Sequence, residues 1–451
     1  FRSLLNCITA EGKIPSDWNS SVTVPIFKGK GDVADCGSYR PIRLLCQTMK
    51  IFERIIDSRL REIVDLRRGQ CGFRKGCGTT DAIFALRDLL EKHRRLKDKP
   101  LHLCFLDLEK AFDRVPHALI WHCLRGHGVP EEYINWIRMM YKEPTSRVRC
   151  AAGLSDSFPV TVGVHQGSAL SPLLFIVVMD FISRDLHTPP PHTLLYADDV
   201  VIGTETRGEL ETLAQAWHDR LARYGLRLNI AKTEYLEFAQ VQTPGTIRID
   251  GKDLVRTTEF KYLGALISSQ ANLKAAVAAR VNAAWMKWKE VTGVLCDRRM
   301  PERLKSKIYR TVVRPVALYG METLPATDKS ENLLHVMEMK MLRWSLGKTR
   351  LDKVRNVDVR RQLGVRPITD KTRERRTRWY GHVLRRPPEE VVSLARNTLV
   401  PGAANRGRPK AQWKKTIEND LTALKLRDRD AMDRAKWRLR THHADPAAKR
   451  D

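Results

Sequence analysis

The stretch from Leu194 to Ile202 (LLYADDVVI) joins two short apolar runs through a pair of aspartates. Apolar runs of this length on either side of a polar pair predict a strand–turn–strand unit with Asp198 and Asp199 at its tip. Adjacent carboxylates are costly in a core unless a cation compensates their charge. The pair therefore indicates either an ordinary Asp-rich turn or a cation site, and the nine residues alone leave both open.

A third aspartate, Asp107, favours the cation site. Residues Leu101 to Leu108 (LHLCFLDL) predict a strand that is apolar on both faces, and Asp107 lies near its end. Carboxylates at the carboxyl ends of strands are well placed to meet ligands at the edge of a sheet. Three carboxylates on two neighbouring strands can hold two Mg²⁺ ions about 4 Å apart. Hard oxygen ligands select Mg²⁺, with Mn²⁺ as a possible substitute, over zinc.

The net charge of the chain points to a polyanionic partner. The 451 residues carry a formal charge of +28 and a pI near 10. So large an excess destabilises a compact state unless a polyanion such as nucleic acid neutralises it. An anionic membrane is the alternative, but no basic amphipathic anchor is visible and the longest apolar stretch, Leu173 to Met179, is too short to span a bilayer. Length suggests roughly three domains, and because the chain begins at Phe1 we expect it to be a piece of a longer polypeptide.

The nine cysteines are scattered, and no two have C-x-x-C spacing. This pattern predicts free thiols in a reducing compartment and no zinc knuckle. His442-His443 lacks partners at metal-ligand spacing, so we expect no metal there either.

Local patterns predict alternating strands and helices. Strands are expected at 22–27, 39–45, 101–108, 226–238, 246–249 and 260–267, with helices at 48–66, 79–96, from about 116, and at 168–186, 210–224 and through 270–345. Asp113 is a possible cap for the helix near Pro116.

The last quarter of the chain is the most basic. Residues 346–451 contain 29 Lys and Arg against 13 Asp and Glu, which gives +16 of the +28. Cations and aromatic residues lie together at 373–378 (RERRTR), 379–382 (WYGH) and 407–410 (GRPK), near Trp413. Cations neutralise phosphates and aromatic rings stack on unpaired bases, so the segment predicts RNA or DNA contact. For individual residues, a solvated basic helix with Trp379 in a small core is an equal alternative.

Three motifs occur in an order that resembles reverse transcriptases. They are 105–113 (FLDLEKAFD), 165–172 (HQGSALSP) and 196–199 (YADD). The residues of these motifs resemble those of the non-LTR (LINE-type) retrotransposon branch of the family. Four shorter matches support it, at 39–42 (YRPI), 70–76 (QCGFRKG), 228–233 (LNIAKT) and 262–264 (YLG), and the resemblance covers about residues 20–270.

The resemblance implies an α+β fold of the right-hand polymerase class. Residues 1–95 would form the fingers, 96–265 a palm with an antiparallel sheet that interleaves with them, 266–345 a helical thumb, and 346–451 a basic, mainly helical nucleic-acid-binding region. The implied activity is that of an RNA-directed DNA polymerase, a nucleotidyltransferase that extends a DNA 3′ end on an RNA template by target-primed reverse transcription. Implied partners are an RNA template, a DNA primer or target and dNTPs, with no membrane, and the implied location is nuclear with cytoplasmic passage.

The resemblance also implies a role for each motif residue. Asp107 and Asp198 would be the main metal ligands, Asp199 would ligate or tune, and the Leu108 carbonyl would face the nucleotide metal. Phe112 would lie under the incoming sugar and exclude a 2′-hydroxyl, unless it is a plain core residue.

The remaining roles concern the nucleotide and the primer. Gln166-Gly167 would line the nucleotide pocket, where glycine permits close backbone approach. Lys28 (or Lys30) and Arg40 would grip the triphosphate. Lys232 would protonate pyrophosphate. Solvated surface charge is the alternative for all these cations. Tyr262-Leu263-Gly264 would be the primer-grip hairpin, or merely a strand.

Two functional alternatives remain open. The first is that the chain is a degenerate or co-opted remnant that binds nucleic acid without polymerising. The second is that it is the reverse transcriptase of a group II intron or retron. The residues of the 105–113 motif and the basic C-terminal region argue against a group II intron or retron enzyme. No apurinic-type endonuclease and no Cys/His knuckle are seen in the sequence, so target nicking is not assigned to this chain.

Overall fold

A computed structural model describes residues 1–29, 31–189, 191–239, 241–405 and 410–446. Lys30 and residues 407–409 of the predicted basic motif lie outside these ranges. The strands are β1 Ser20–Phe27, β2 Tyr39–Leu44, β3 Leu101–Leu106, β4 Thr145–Cys150, β5 Gly153–Leu154, β6 Phe158–Pro159, β7 Thr193–Tyr196, β8 Asp199–Thr204, β9 Glu234–Phe238, β10 Arg248–Ile249, β11 Lys252–Asp253, β12 Val255–Arg256, β13 Glu259–Tyr262 and β14 Ala265–Ser268.

The helices complete an α+β architecture, as predicted. They are α1 Arg2–Glu11, α2 Gln47–Ile63, α3 Thr79–Arg95, α4 Ala111–Arg114, α5 His117–Gly126, α6 Glu131–Met140, α7 Ser171–Ile182, α8 Arg207–Arg223, α9 Leu273–Leu295, α10 Glu302–Ile308, α11 Arg314–Leu318, α12 Asp328–Ser345, α13 Asn356–Leu363, α14 Ile368–Leu384, α15 Val391–Asn397, α16 Trp413–Leu424 and α17 Arg434–Thr441.

The chain forms two compact units, each assembled from three stretches. Unit 1 comprises Phe1–Gly78, Cys104–Tyr235 and Thr246–Val255, and unit 2 comprises Thr79–Leu103, Leu236–Gly245 and Arg256–Asp451. Neither unit is a continuous piece of sequence. The four regions predicted from the sequence remain a proposal.

Unit 1 contains a sheet in the order β2-β1-β4-β5, with β6 also paired to β4. Strand β1 runs antiparallel to β2 and parallel to β4. The buried face of β1 is polar at Thr23, whose hydroxyl lies 2.7 Å from the hydroxyl of Ser146. A buried hydroxyl with a partner avoids the cost of desolvation, so this small-residue face can pack closely.

A second sheet has the order β12-β9-β3-β8-β7, and each of its strands contributes residues to unit 1. All six residues of the central strand β3 are buried, as the strand apolar on both faces predicts. The apolar helix α7 belongs to the same core and buries ten side chains. This core fixes the edge of the sheet at which β3 and the β7–β8 hairpin end.

Several predicted boundaries shift for local reasons. Helix α7 begins at Ser171 rather than Ser168, and its N-cap is Leu170. The Ser168 hydroxyl accepts hydrogen bonds from the N–H groups of Leu170 and Ser171 and so holds residues 168–170 in a turn ahead of the helix. The prediction that Asp113 caps helix α5 is wrong, because its carboxylate accepts from Gln166 instead. The strand expected at 226–238 is reduced to β9, because a 3₁₀ turn occupies 230–232.

Unit 2 is mainly helical, as predicted for 270–345. Helices α9 and α12 pack together around Trp288, which is fully buried. Strands β13 and β14 form a hairpin. All nine cysteines lie within the described ranges, and none of them forms a disulfide bond there. Within the described ranges, no helix combines the length and apolarity needed to cross a membrane.

Candidate active site

The acidic pair lies at the tip of a tight hairpin in unit 1. Strands β7 and β8 are antiparallel, and their last pair joins Tyr196 to Asp199. Ala197 in the turn has a left-handed backbone with φ of 58°, a conformation that costs energy for a residue other than glycine. The strand residues behind the turn are buried, whereas Asp198 and Asp199 are exposed. The predicted strand–turn–strand is confirmed, and both carboxylates are open to a ligand.

The segment 69–72 supports this turn from behind. The N–H of Leu195 donates to the Gly69 carbonyl at 2.9 Å. Gln70 is completely buried, and its Oε1 accepts from the N–H groups of Gly72 at 2.9 Å and Ala197 at 3.2 Å. The side chain of Gln70 therefore provides the strained turn with a hydrogen-bond partner that water cannot reach.

Gly72 approaches the turn too closely for any side chain. A Cβ atom at this position would lie 2.4 Å from the backbone nitrogen of Ala197 and 2.8 Å from the carbonyl carbon of Tyr196. No individual role was predicted for any residue of the motif 70–76. Its glycine was the only sequence signal of this support, because the contact is between backbone atoms and leaves no apolar pattern.

Asp107 is positioned by main-chain hydrogen bonds on both sides. It follows β3, which neighbours β8 in the sheet. Its N–H donates to the Thr233 hydroxyl at 3.3 Å, and its carbonyl accepts from the N–H of Asn229 at 2.7 Å. The next residue, Leu108, is buried and forms an antiparallel bridge with Leu228. The end of β3 is thus tied to the loop that precedes β9.

The three carboxylates act on one another electrostatically. Burial by the surrounding protein is the main cause that raises the pKa of Asp198; the charge of Asp107 raises it further and Arg40 opposes both. Burial, then the charges of Asp198 and Asp107, raise the pKa of Asp199 to about 6. The side chains are exposed toward one side, but the protein encloses their carboxylates enough to disfavour ionisation. The structure therefore brings the three predicted aspartates within electrostatic reach of each other.

The donor set fits a divalent cation by its chemistry. Carboxylates that destabilise one another are stabilised together by a hard cation, which prefers oxygen ligands. Among the described residues, no three Asp, Glu, His or Cys side chains are spaced as a closed ligand cluster. Mg²⁺ usually keeps water or substrate phosphate in its coordination shell, so an open carboxylate set is compatible with it.

Two predicted triphosphate cations lie on β2 and just after β1. Arg40 is exposed, and its charge lowers the pKa of Asp198, so it lies within reach of the hairpin. Lys28 is exposed as well, and its Nζ donates to the Gly37 carbonyl at 2.7 Å. The charge of Lys28 acts on Asp113. The structure thus brings Arg40 toward the acidic pair and Lys28 toward the motif that follows Asp107.

Phe112 is half-buried between two other rings. Its ring stacks on Phe175 with centroids 4.3 Å apart and planes 16° apart. Phe73 meets it edge-on at 6.3 Å. Phe112 is therefore packed on one side, as a core residue would be, and this packing fixes the ring orientation that an exclusion role needs.

The turn that contains Gln166 and Gly167 lies directly against β2. The Gln166 carbonyl accepts from the N–H of Arg43 at 2.7 Å. Gly167 has φ of +116°, and a Cβ there would lie 2.4 Å from the Arg43 carbonyl oxygen. Glycine is required by both its conformation and this contact. The amide Nε2 of Gln166 donates to Asp113 at 2.7 Å.

A buried glutamate, absent from the sequence-based site, anchors the same turn. Glu53 on helix α2 is 2% exposed. Its Oε1 accepts from the Ser168 hydroxyl at 2.7 Å and its Oε2 from the N–H of Ala169 at 2.9 Å. Burial raises the pKa of Glu53, and these two hydrogen bonds oppose the rise. A charged residue within an amphipathic helix gave no sequence signal of this contact.

Lys232 lies at the end of the 3₁₀ turn 230–232 and is exposed. Its N–H donates to the carbonyl of Asn229 at 3.1 Å, and the N–H of Asn229 donates to the Asp107 carbonyl. The backbone that carries Lys232 is therefore connected to the backbone of Asp107 through a single residue. The role predicted for its ammonium group remains a proposal.

In unit 2, several residues predicted to contact nucleic acid are packed inside. Trp413 is 5% exposed, and its Nε1 donates to the Glu322 carbonyl at 2.8 Å. Arg376 is 2% exposed, and its Nε donates to Asp420 at 2.6 Å. Trp379 packs edge-on against Phe84 at 5.9 Å. For these residues the small-core alternative describes the structure. The predicted hairpin at 262–264 is present as the turn between β13 and β14.

A profile of the family described as "Reverse transcriptase (RNA-dependent DNA polymerase)" matches residues 27–267, more than half of the chain. The chain belongs to this reverse transcriptase family. The resemblance found in the motifs is confirmed, and with it the α+β, right-hand polymerase fold class. Reverse transcriptases generally use divalent metal ions, which agrees with the oxygen donors of the three aspartates.

The relatives of this reverse transcriptase belong to mobile elements. The RNA-directed DNA polymerase from mobile element jockey of Drosophila melanogaster is 26% identical over 451 aligned residues, covering 94% of this chain and 48% of the relative. The Pol polyprotein from the type-1 retrotransposable element R2 of Nasonia vitripennis is 29% identical over 291 residues, covering 60% and 28%. The reverse transcriptase therefore falls in the predicted non-LTR retrotransposon branch. It spans about half or less of the length of these relatives.

Solved structures give a weaker likeness. Apo telomerase from Candida tropicalis has a TM-score of 0.43 at 12% identity, covering 96% of this chain and 71% of that one. The RNA-dependent RNA polymerase of a human picobirnavirus has a TM-score of 0.42 at 12% identity, covering 72% and 57%.

Proposed function

We propose that this chain is an RNA-directed DNA polymerase of a non-LTR retroelement, which extends a DNA 3′ end along an RNA template by target-primed reverse transcription. One observation carries the proposal: Asp107, Asp198 and Asp199 converge at one sheet edge of unit 1, where their charges act on one another. Family membership supports the same activity.

The reaction is nucleotidyl transfer. The primer 3′-oxygen attacks the α-phosphorus of a dNTP, and the new P–O bond forms as the bond to pyrophosphate breaks. Two Mg²⁺ ions, or Mn²⁺ in their place, would supply activation of the attacking oxygen and charge neutralisation on the leaving group. Asp107 and Asp198 would hold them, with Asp199 ligating or tuning and the Leu108 carbonyl on the nucleotide side.

The other site residues would act on the nucleotide. Lys28 and Arg40 would offset the charge of the triphosphate. The turn Gln166-Gly167 would line the pocket. Phe112 would exclude a ribose 2′-hydroxyl, because its ring is held by stacking on Phe175. Lys232 would donate a proton to the leaving pyrophosphate.

The partners follow from the reaction and the charge. An RNA template, a DNA primer or target and dNTPs are all polyanions or anions, and the +28 chain would attract them. Within the proposal, residues 1–95 act as fingers, 96–265 as palm, 266–345 as thumb and 346–451 as a basic nucleic-acid-binding region. Copying at a genomic target also requires passage through the cytoplasm and entry into the nucleus.

Primer extension tests the proposal. The purified chain is supplied with poly(rA)/oligo(dT), dTTP and Mg²⁺, alongside an Asp198→Asn variant. Asp65→Asn is the matched control, because the Asp65 side chain is 88% exposed and forms a long ion pair of 3.9 Å with Arg68. We expect the wild type and Asp65→Asn to incorporate dTMP and Asp198→Asn to fail.

Other outcomes separate the alternatives. Template binding without incorporation by the wild type would identify a degenerate remnant and refute the polymerase proposal. Incorporation by the Asp198→Asn variant would support the polymerase activity but contradict the assignment of Asp198 to the metal site.

A further inference from the structure

We infer that Asp180, a buried aspartate near the end of helix α7, is a positioning residue that holds the acidic pair in place through Arg67 and the segment 67–72. The inference rests on the proposed function, which it deepens by adding a residue that sets the place of the Asp198-Asp199 turn. All the residues involved belong to unit 1.

The segment that supports the acidic turn has no regular structure of its own. Residues 64–78, all of which the structure describes, lie between α2 and α3 and belong to no helix or strand. Residues 69–72 are nevertheless buried. A buried backbone outside a helix or a sheet is held by individual hydrogen bonds, because water cannot replace them. The position of the segment therefore depends on its few contacts with neighbouring elements.

Two crossed hydrogen bonds join Arg67 to Asp180. The N–H of Arg67 donates to Oδ1 of Asp180 at 2.9 Å, and Nη1 of Arg67 donates to the main-chain carbonyl of Asp180 at 3.0 Å. That carbonyl belongs to the last turn of α7, where the helix offers it no partner. Nη1 also lies 3.5 Å from Oδ2, so the two residues form an ion pair. Each residue thus uses its side chain to hold the backbone of the other.

The carboxylate of Asp180 is enclosed by protein. The residue is 2% exposed, and Nε2 of His127 lies 3.6 Å from its Oδ2. A buried polar group is costly unless it is hydrogen-bonded, and Oδ1 has its partner in the N–H of Arg67. Helix α7 is itself part of the core of unit 1. Asp180 therefore offers the segment 67–72 an acceptor on a firmly packed element.

The contacts continue from Arg67 to the acidic turn. The N–H of Gln70 donates to the Arg67 carbonyl at 3.1 Å, which closes a turn over residues 67–70. Gly69 in this turn accepts from the N–H of Leu195 at 2.9 Å. The side chain of Gln70 accepts from the N–H of Ala197 at 3.2 Å. A displacement of Arg67 is therefore passed to the residues that immediately precede the acidic pair.

Single-turnover dTMP incorporation on poly(rA)/oligo(dT) with Mg²⁺ tests this role. Asp180→Ala removes the acceptor of the Arg67 N–H. The rate should fall by about 10- to 100-fold, the range found for residues that orient metal ligands from outside the coordination shell. The affinity for primer–template should stay unchanged, because Asp180 is buried. Asp180→Asn keeps an oxygen that can accept from the same N–H, so its rate should stay within about 3-fold of the wild type.

Ser183→Ala is the matched control. Ser183 directly follows α7 and is fully buried. Its hydroxyl donates to the Met179 carbonyl at 2.6 Å and lies 2.7 Å from Nε2 of His187, so its partners lie outside the segment 67–72. The variant removes a buried polar group at the same end of the helix and should keep the wild-type rate.

A double-mutant cycle separates positioning from stability. Gln70→Ala removes the side chain that connects the segment to the turn. In that background, Asp180→Ala should lower the rate by a smaller factor than in the wild type, whereas its effect on the free energy of unfolding should persist. A residue that acts only by stabilising the fold would lower the rate by the same factor in both backgrounds.

Three results would overturn the inference. The first is a folded Asp180→Ala variant that is as fast as Ser183→Ala, and the second is the same factor of rate loss in the Gln70→Ala background. The third is an Asp180→Asn variant as slow as Asp180→Ala, because the retained acceptor would then have no effect.

Arg67→Leu takes the place of Asp180→Ala if that variant does not fold. The Arg67 side chain is 31% exposed, and its loss removes one of the two crossed bonds. The rate should fall by about 3- to 10-fold, the effect of one hydrogen bond, and an unchanged rate would overturn the inference.

The proposed function fails separately, by the absence of dTMP incorporation in the wild type. The affinity for Mn²⁺, measured by electron paramagnetic resonance, needs no turnover and tests the inference in that case as well. Asp180→Ala should bind Mn²⁺ about 10-fold more weakly than Ser183→Ala. Equal affinities would show that Asp180 does not position the acidic pair.

Discussion

Replacing Gly72 by alanine tests whether the segment behind the hairpin sets the position of the acidic pair. The change adds a single methyl group. The φ of Gly72 lies outside the left-handed region, so alanine introduces no backbone strain of its own. Any effect must therefore come from the contact between the new Cβ and the turn.

The size of that contact can be worked out from the structure. The Cβ would lie 2.4 Å from Ala197 N, whereas ordinary contact begins at 3.4 Å. The obstacle is backbone and cannot rotate away, so the turn must retreat by about 1 Å, the difference between these distances. A displacement of about 1 Å in a reacting geometry costs about 100-fold in rate. We expect the rate of dTMP incorporation to fall by that factor, with primer–template affinity unchanged.

Single-turnover incorporation on poly(rA)/oligo(dT) measures the effect. Gly208→Ala is the matched control, because a Cβ there meets nothing within 4 Å and the residue lies in helix α8. That variant should keep its rate and gain about 0.5–1 kcal/mol of stability. If Gly72→Ala is folded by circular dichroism and as fast as Gly208→Ala, the proposed support of the turn is refuted.

Further predictions concern the ionisation of Asp199, the ring of Phe112 and the core around Trp288. Because the pKa of Asp199 is raised to about 6, its carboxylate ionises as the pH rises through that value. The affinity for Mn²⁺ should therefore rise between about pH 5 and 7 and level off above. A dependence of Mn²⁺ affinity on pH that is equally steep in Asp199→Asn would contradict this prediction. Phe112→Ala should increase incorporation of rUTP relative to dTTP, and an unchanged ratio would remove the ring from sugar selection. Trp288→Ala should lower the free energy of unfolding by about 3–5 kcal/mol in urea titrations, while Trp344→Ala, at a ring 51% exposed, should cost clearly less; equal losses would contradict the assigned core.

The sequence allowed prediction of those parts of the site whose contacting residues lie close together along the chain. The hairpin around Asp198 and Asp199 uses two strands separated by a two-residue tip, and Asp107 directly follows a continuous apolar strand. Periodicity and turn residues determine such units because their partners are a few positions away. The resemblance of the motifs to a known family then indicated that the hairpin and the strand that carries Asp107 belong to one site.

The parts that depend on distant contacts could not be predicted. Gln70 supports a turn 127 positions later, and Asp113 accepts from Gln166, 53 positions later. Neither partner is specified by local pattern, so Asp113 was mistaken for a helix cap. For Trp413, stacking on a nucleic-acid base and packing in a protein core were equally supported, because an aromatic residue beside cations has the same sequence pattern in both cases. Its burial depends on residues more than 300 positions away.

Helix α3 is synthesised long before Trp413, one of the residues that cover it. Its Phe84 ring packs on Trp413 at 4.7 Å, and Glu91 accepts from the N–H of Trp413 at 3.0 Å across 322 positions of sequence. At translation rates of about 5–20 residues per second, roughly 15–65 s pass between the synthesis of these partners. During that time the apolar face of α3 has no native cover from Trp413. Unit 2 cannot complete the packing around α3 until residue 413 has been synthesised, and a ribosomal pause before that residue would prolong the interval in which chaperones compete with aggregation for that face.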